Sequence, residues 1–297
     1  GDDHLEGMGG SDTYVYALVD GNDSIYETND LSGVDTDRLI FGAGITTSNI
    51  VLTRGTADLD DVTISFAGQA GSIFIDEQFG VHDLIEEFVF ANGTIWSALD
   101  LKNQFTAHAT TAGNDTIIGF HDVNDTLIGG LGNDLLKGLL GSDSYIYNLG
   151  DGADEIQDHY DPGFVDTDRL VFGAGILPSA IVLERSLTAS HDLMVRFNGQ
   201  AGSVFLKNQF NSAMGVEQIV FNNGTVWDYA AIRQEYLNRA STSGNDTIIG
   251  FLNSDETITG GQGNDLMLGL SGSDTYIYNL GDGADEIRED FDPGSVY

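Results

Sequence analysis

The chain has 297 residues, and 11 Lys and Arg against 47 Asp and Glu give a formal charge of −36, which disfavours nucleic acid and anionic membrane surfaces as partners. Hydrophobic residues at 41% and aromatic residues at 10% supply a core, so simple acidic disorder is excluded provided the carboxylates are neutralised. The absence of cysteine excludes a disulfide framework and thiolate metal sites, no apolar run reaches the roughly 18 residues of a transmembrane helix, and no signal peptide is recognisable.

Residues 1–30 read as the end of a Gly/Asp-rich block, with Asp3, Asp12 and Asp23 as candidate ligands. The texture changes over 31–110. Val62, Ile64 and Phe66 alternate with Thr63 and Ser65, the period of a half-buried strand. Further strands are predicted near 39–41, 50–52, 72–75 and 85–90, and the Gly-containing turns between several of them suggest an antiparallel meander. Ala98, Leu101 and Phe105 fall at i, i+3 and i+7, one apolar face of a closing helix.

A second Gly/Asp block spans 111–160. Its carboxylates are Asp115, Asp125, Asp134, Asp143 and Asp154, and two residues after each stands an apolar side chain: Ile117, Leu127, Leu136, Tyr145 and Ile156. The unit is clearest at Gly129-Gly130-Leu131-Gly132-Asn133-Asp134, a tight turn ending in a carboxylate before a very short strand. Glycine permits the positive φ such turns need. If successive turns lie on opposite edges of a coil, Asp115 faces Asp134, Asp125 faces Asp143, and Asp134 faces Asp154. Carboxylates stacked this way repel without a cation. Their hard oxygens suit Ca²⁺, with backbone carbonyls of turns such as Gly130 and Gly132 completing the shell. His121 and Asp122 occupy an enlarged turn between Asp115 and Asp125.

Residues 161–241 repeat 31–110 at a constant offset of 131, with Leu193, Val195 and Phe197 alternating and Tyr229, Ile232 and Tyr236 marking the helix. The third block, 242–297, supplies Asp246, Asp255, Glu256, Asp265, Asp274 and Asp285, with Gly261 and Gly263 in the turn. Glu256 stands where Asp125 stands one copy earlier, so either it or the adjacent Asp255 reaches the ion. Asp35, Asp37, Asp166 and Asp168 have two readings: a further ion at the exit of the coil, or strand starts paired with Arg38 and Arg169. Trp96 and Trp227 read as core residues at a strand-to-helix corner, with sugar stacking as the alternative. The six histidines have no zinc-binding spacing, and no nucleophile motif or phosphate loop occurs. Pairing Asp3 with Asp23, and three pairs in each later block, gives seven ions, which would move the charge from −36 to −22.

The pattern Gly-Gly-x-Gly-x-Asp-x-large apolar-x resembles the RTX (repeats-in-toxin) nonapeptide of secreted calcium-binding proteins. The Asp-x-Leu-x-Phe-Gly and Asn-Gly-Thr-x-Trp elements of 35–96 resemble the haemolysin-type calcium-binding-related segment. This resemblance implies an all-β fold: right-handed parallel β-roll blocks alternating with small antiparallel β units, each closed by one helix. It also implies Ca²⁺-driven folding and type I secretion to the cell surface or medium. The expected function is a non-catalytic, calcium-binding tandem-repeat module acting as spacer, adhesive stalk or secretion-folding module. The alternatives are the accessory region of a secreted enzyme, or of a toxin or bacteriocin. A glycan or cell-surface ligand on the β units is the partner expectation beside calcium. The chain starts inside a Gly/Asp unit and stops at Ser295-Val296-Tyr297, so a monomeric fragment of a longer array is expected.

Overall fold

Three-residue strands bury too little to stand alone, and this chain solves the problem by stacking them. The computed structural model describes residues 1–27, 35–80, 84–121, 123–159, 166–211 and 214–289; Asp122 lies outside them. Two units separate: Gly1–Ala109 with Phe120–Asp122, and Thr110–Gly119 with Val123–Tyr297. Among the described residues the structure is strands, two α-helices and one short 3₁₀ turn.

In the second unit the chain alternates between two sheets. Thr116–Ile118, Leu135–Lys137 and Ala153–Ile156 pair in parallel on one side. Thr126–Ile128 and Ser144–Tyr147 pair in parallel on the other. Consecutive strands therefore fall in different sheets, and each rung rests on the rung two strands earlier. The apolar residue two places after each aspartate points inward. Ile117, Leu136, Ile156 and Leu206 align across one sheet, and Leu127, Tyr145, Leu170 and Ile219 across the other, all buried. This is a parallel β-roll.

The predicted antiparallel meander forms over Ile50–Arg54, Val62–Phe66 and Ser72–Ile75 and over the equivalent strands of the second unit, but the strands at its ends need correction. Arg169–Phe172 and Gln218–Val220 continue the second sheet in parallel, and Ser203–Leu206 continues the first. Both sheets thus join strands from either side of the expected boundary between the second block and the β unit that follows it. Among the described residues of the second unit, antiparallel pairing is confined to Ile181–Ser186, Ala189–Phe197 and Ser203–Leu206, and to Gln218–Val220 with Val226–Asp228. The reason is phase: Leu170 and Phe172 continue the inward row of Tyr145 and Tyr147, so adding them as another rung extends an existing core. The first unit does the same, with Arg38–Phe41 parallel to Thr13–Tyr16 and Ser72–Ile75 parallel to Asn22–Tyr26.

Both predicted helices form, Ala98–Ala109 and Tyr229–Ala240. Asp228 caps the second by accepting from Ala231 N at 2.8 Å. Its buried face is Ile232, Tyr236 and Leu237, and Tyr236 Oη accepts from Ile249 N in the third block. Trp227 is buried at the strand-to-helix corner, edge-on to Phe221 and under the Arg239 guanidinium. Where the helix meets the third block, the Arg185 guanidinium lies over Phe210, Tyr236 and Phe251 and donates to the carbonyls of Ile249 and Gly250 at 2.6 and 2.8 Å. The first unit has the same aromatic cage, Arg54 over Phe79, Phe105 and Phe120.

Candidate metal centres

Stacked rungs are tied on their edge by two reciprocal hydrogen bonds, drawn in the clearest turns from an Asn-Asp pair. The aspartate N–H donates forward: Asp115 to Asp134 Oδ1 (2.8 Å), Asp125 to Asp143 (2.7 Å), Asp134 to Asp154 (3.1 Å). The asparagine side chain accepts in the opposite sense, Asn114 from Asn133 N and Asn133 from Ala153 N, both at 2.9 Å. The pairs predicted from spacing are the pairs brought together. Asp3 with Asp23, Asp246 with Asp265, and Asp265 with Asp285 repeat the arrangement.

At the first rung both oxygens of Asp115 and of Asp246 accept from Thr111 and Thr242; further along, one oxygen accepts from the preceding rung. The second oxygens of Asp134, Asp143, Asp265 and Asp274 are buried without a hydrogen-bond partner among the described residues. Each lies against a glycine five residues upstream, and a Cβ on Gly129, Gly138, Gly260 or Gly269 would collide with it. Gly130 and Gly261 turn the chain with φ of +84° and +86°; Gly132 and Gly263, at +141° and +133°, bring their backbones against the rungs that follow and precede them. An orphaned anionic oxygen facing glycine backbone is a cradle of hard oxygen donors, which fits Ca²⁺. When bound, the ion would supply the positive charge that these carboxylates lack. Without it, burial pushes Asp143 up to about 8, with Asp125 and Asp168 adding to the rise, and Asp154 up to about 6. Burial also raises Asp134.

Asp255 and Glu256 divide the roles left open by the sequence. Glu256 keeps the backbone position of the aspartate, its N–H donating to Asp274 Oδ1 at 2.8 Å. Its carboxylate, however, is held by Arg233 at 2.9 Å and by Phe251 N at 3.1 Å. Asp255 takes the asparagine position and accepts from Ser273 N. The Arg233 guanidinium thus neutralises the Glu256 carboxylate, while the second oxygen of Asp274 on the same rung keeps no partner among the described residues.

The stacks run further than the nonapeptides. Asp12 donates its N–H to Asp37 Oδ1 and Asp143 to Asp168 Oδ1, both at 2.6 Å. Asp37 donates to Glu86 at 2.6 Å and Asp168 to Glu217 at 2.7 Å. Arg38 meets Glu87, and Arg169 meets Gln218. The sequence held the signal for Glu86 and Glu217, since Phe88 and Ile219 stand two residues after them in the phase of the nonapeptides. Asp35 and Asp166 precede this rung; Gly141 N donates to Asp166 at 3.4 Å.

The model of the RTX calcium-binding nonapeptide repeat, four copies long, matches residues 1–17, 121–156 and 252–287. The haemolysin-type calcium binding protein related domain matches 61–100 and 192–231. No curated protein matches the chain. Among solved structures, the extracellular lipase LipA from Serratia marcescens is similar at 16% identity and a TM-score of 0.24, over 70% of this chain and 37% of that one.

Proposed function

Since the chain belongs to the RTX haemolysin-type calcium-binding proteins, we propose that it is a non-catalytic repeat module that folds on Ca²⁺ outside the cell, serving its parent protein as a rigid spacer and secretion-folding element. The observation that carries this reading is the row of buried, unpartnered carboxylate oxygens, Asp134 and Asp143 foremost, at the ends of strands too short to fold alone. At low calcium these carboxylates repel and the chain stays unfolded, a state suited to export. Extracellular calcium modules bind at about 10⁻⁴–10⁻³ M, so the outside concentration then drives folding. Two near-copies with the same strand pairings support the spacer role, because each copy adds length without new chemistry. No helix among the described residues is long and apolar enough to cross a membrane.

The test is far-UV circular dichroism of the chain in EGTA and after Ca²⁺ addition. A largely disordered spectrum that becomes β on adding calcium is expected; identical spectra would overturn the proposal.

A further inference from the structure

At the exit of the first and second blocks a third carboxylate enters from a residue that belongs to no nonapeptide. In the second unit it is Asp158, just after Ala153–Ile156; it gathers with Asp143 and Asp168 so that one oxygen from each lies within 4.8 Å of the others. In the first unit Glu27 occupies the same place beside Asp12 and Asp37. We propose that each trio holds one further divalent cation, calcium by the hardness of the donors, pinning the roll to the segment that follows it. This rests on the calcium reading of the roll and adds two sites to it.

The geometry divides the oxygens into two groups. Asp143 Oδ1 accepts from Asp125 N at 2.7 Å, and Asp168 Oδ1 accepts from Asp143 N at 2.6 Å. Asp158 Oδ1 accepts from Tyr145 Oη at 3.0 Å and from His159 N at 2.9 Å. Tyr145 has little choice of direction. Its oxygen already accepts from Gly138 N at 2.8 Å, so its proton goes to Asp158. That bond fixes the outer oxygen of Asp158 and turns the other inward. The inner oxygens of Asp143 and Asp158 are buried with no hydrogen-bond partner among the described residues, and Asp143 is wholly buried. Leaving anionic oxygens in this state is costly unless a cation meets them.

The first unit reaches the same end with a different residue. Glu27 is one methylene longer than Asp158, yet it receives the Tyr14 hydroxyl on Oε1 and leaves Oε2 buried and unpartnered. Gly7 is needed there, since a Cβ on it would collide with both Glu27 oxygens. Side-chain length changes while the inward oxygen and the tyrosine are kept. A carboxylate serving only to satisfy the tyrosine would need neither the second oxygen buried nor two other carboxylates around it.

Calorimetric titration of calcium into the whole chain and into the Glu27→Gln, Asp158→Asn double variant tests this. Both amides still accept from the tyrosine, so the fold is preserved and only the charge is removed. The variant should bind two fewer ions. An unchanged number of ions with unchanged affinities would overturn the two extra sites while leaving the roll sites standing. A parent chain that takes up no calcium would overturn the roll reading and these sites with it. Crystals of the unmodified chain grown with calcium make the test independent of variant folding. An ion about 2.3–2.6 Å from an oxygen of each of Asp143, Asp158 and Asp168 is expected; a calcium-loaded roll with no ion there would overturn the proposal.

Discussion

Asp125 N donates to Asp143 Oδ1 at 2.7 Å, while Asp143 Oδ2 is buried without a hydrogen-bond partner among the described residues. One side chain thus clamps two rungs with one oxygen and reserves the other for a cation. On the proposed reading, backbone stacking and metal binding draw on the same side chain, and the consequences can be measured.

Asp134 accepts from Asp115 N and donates its own N–H to Asp154. It therefore belongs to two stacked pairs. Asp134→Ala should remove two ions from the calorimetric stoichiometry, whereas Asp115→Ala, at the end of the column, should remove one. Equal losses would show that the pairs do not share Asp134.

Glu256→Gln should leave the calcium stoichiometry unchanged, because the Glu256 carboxylate is already held by Arg233 and Phe251 N. Asp274→Asn, which alters a buried unpartnered oxygen, should lower it. Titration of both variants separates the two roles.

In calcium-free solution, acid should partly replace the metal. Burial raises Asp143 to about 8 and Asp154 to about 6, against an ordinary 3.8. A raised folded-state value stabilises the fold fully below the ordinary value, and that stability is lost as pH rises through the folded value. The roll without calcium should be most populated near pH 4 and decline between about pH 4 and 8. Circular dichroism in EGTA across that range checks the sign; β content that grows with pH would contradict it.

Gly152 has φ of +129°, and a Cβ there would overlap the Gly132 carbonyl oxygen. Gly152→Ala should destabilise the calcium-loaded fold by at least about 2 kcal/mol through backbone strain alone, read as a lowered Tm at saturating calcium.

The half-buried Arg185 packs its guanidinium against three aromatic rings and donates to two carbonyls of the third block, and desolvation lowers its pKa to about 10. Arg185→Met should cost about 1–3 kcal/mol from carbonyls left without a donor. Arg185→Lys should recover little of it, since an ammonium lacks the planar fork. Amide exchange at Ile249 and its neighbours should accelerate in both variants.

Local repetition made the roll legible. The offset between Asp115 and Asp134 is short, and the inward residue two places on marks each strand, so the stacked pairs followed from spacing. The destination of Ser203–Leu206 did not. It pairs in parallel with Ala153–Ile156, and period-two alternation tells that a strand is half-buried without naming its neighbour. Asp158 and Glu27 were also hidden, because each follows the last nonapeptide aspartate, Asp154 or Asp23, by four residues and so falls outside the nine-residue spacing. Glu256 was ambiguous because its partner, Arg233, comes from a helix outside the repeat.

The carboxylate columns on the two edges end at different heights. Asp115, Asp134 and Asp154 form the shorter one, and Asp154 lies opposite Val204, where no carboxylate continues it. The longer runs Asp125, Asp143, Asp168 and Glu217, and Glu217 adjoins Gln218–Val220, whose antiparallel partner Val226–Asp228 leads into the second helix. The second unit is therefore asymmetric across its width. One margin is a continuous hydrogen-bonded seam of carboxylates from Asp125 to the base of the helix. The other ends at Asp154, within the roll.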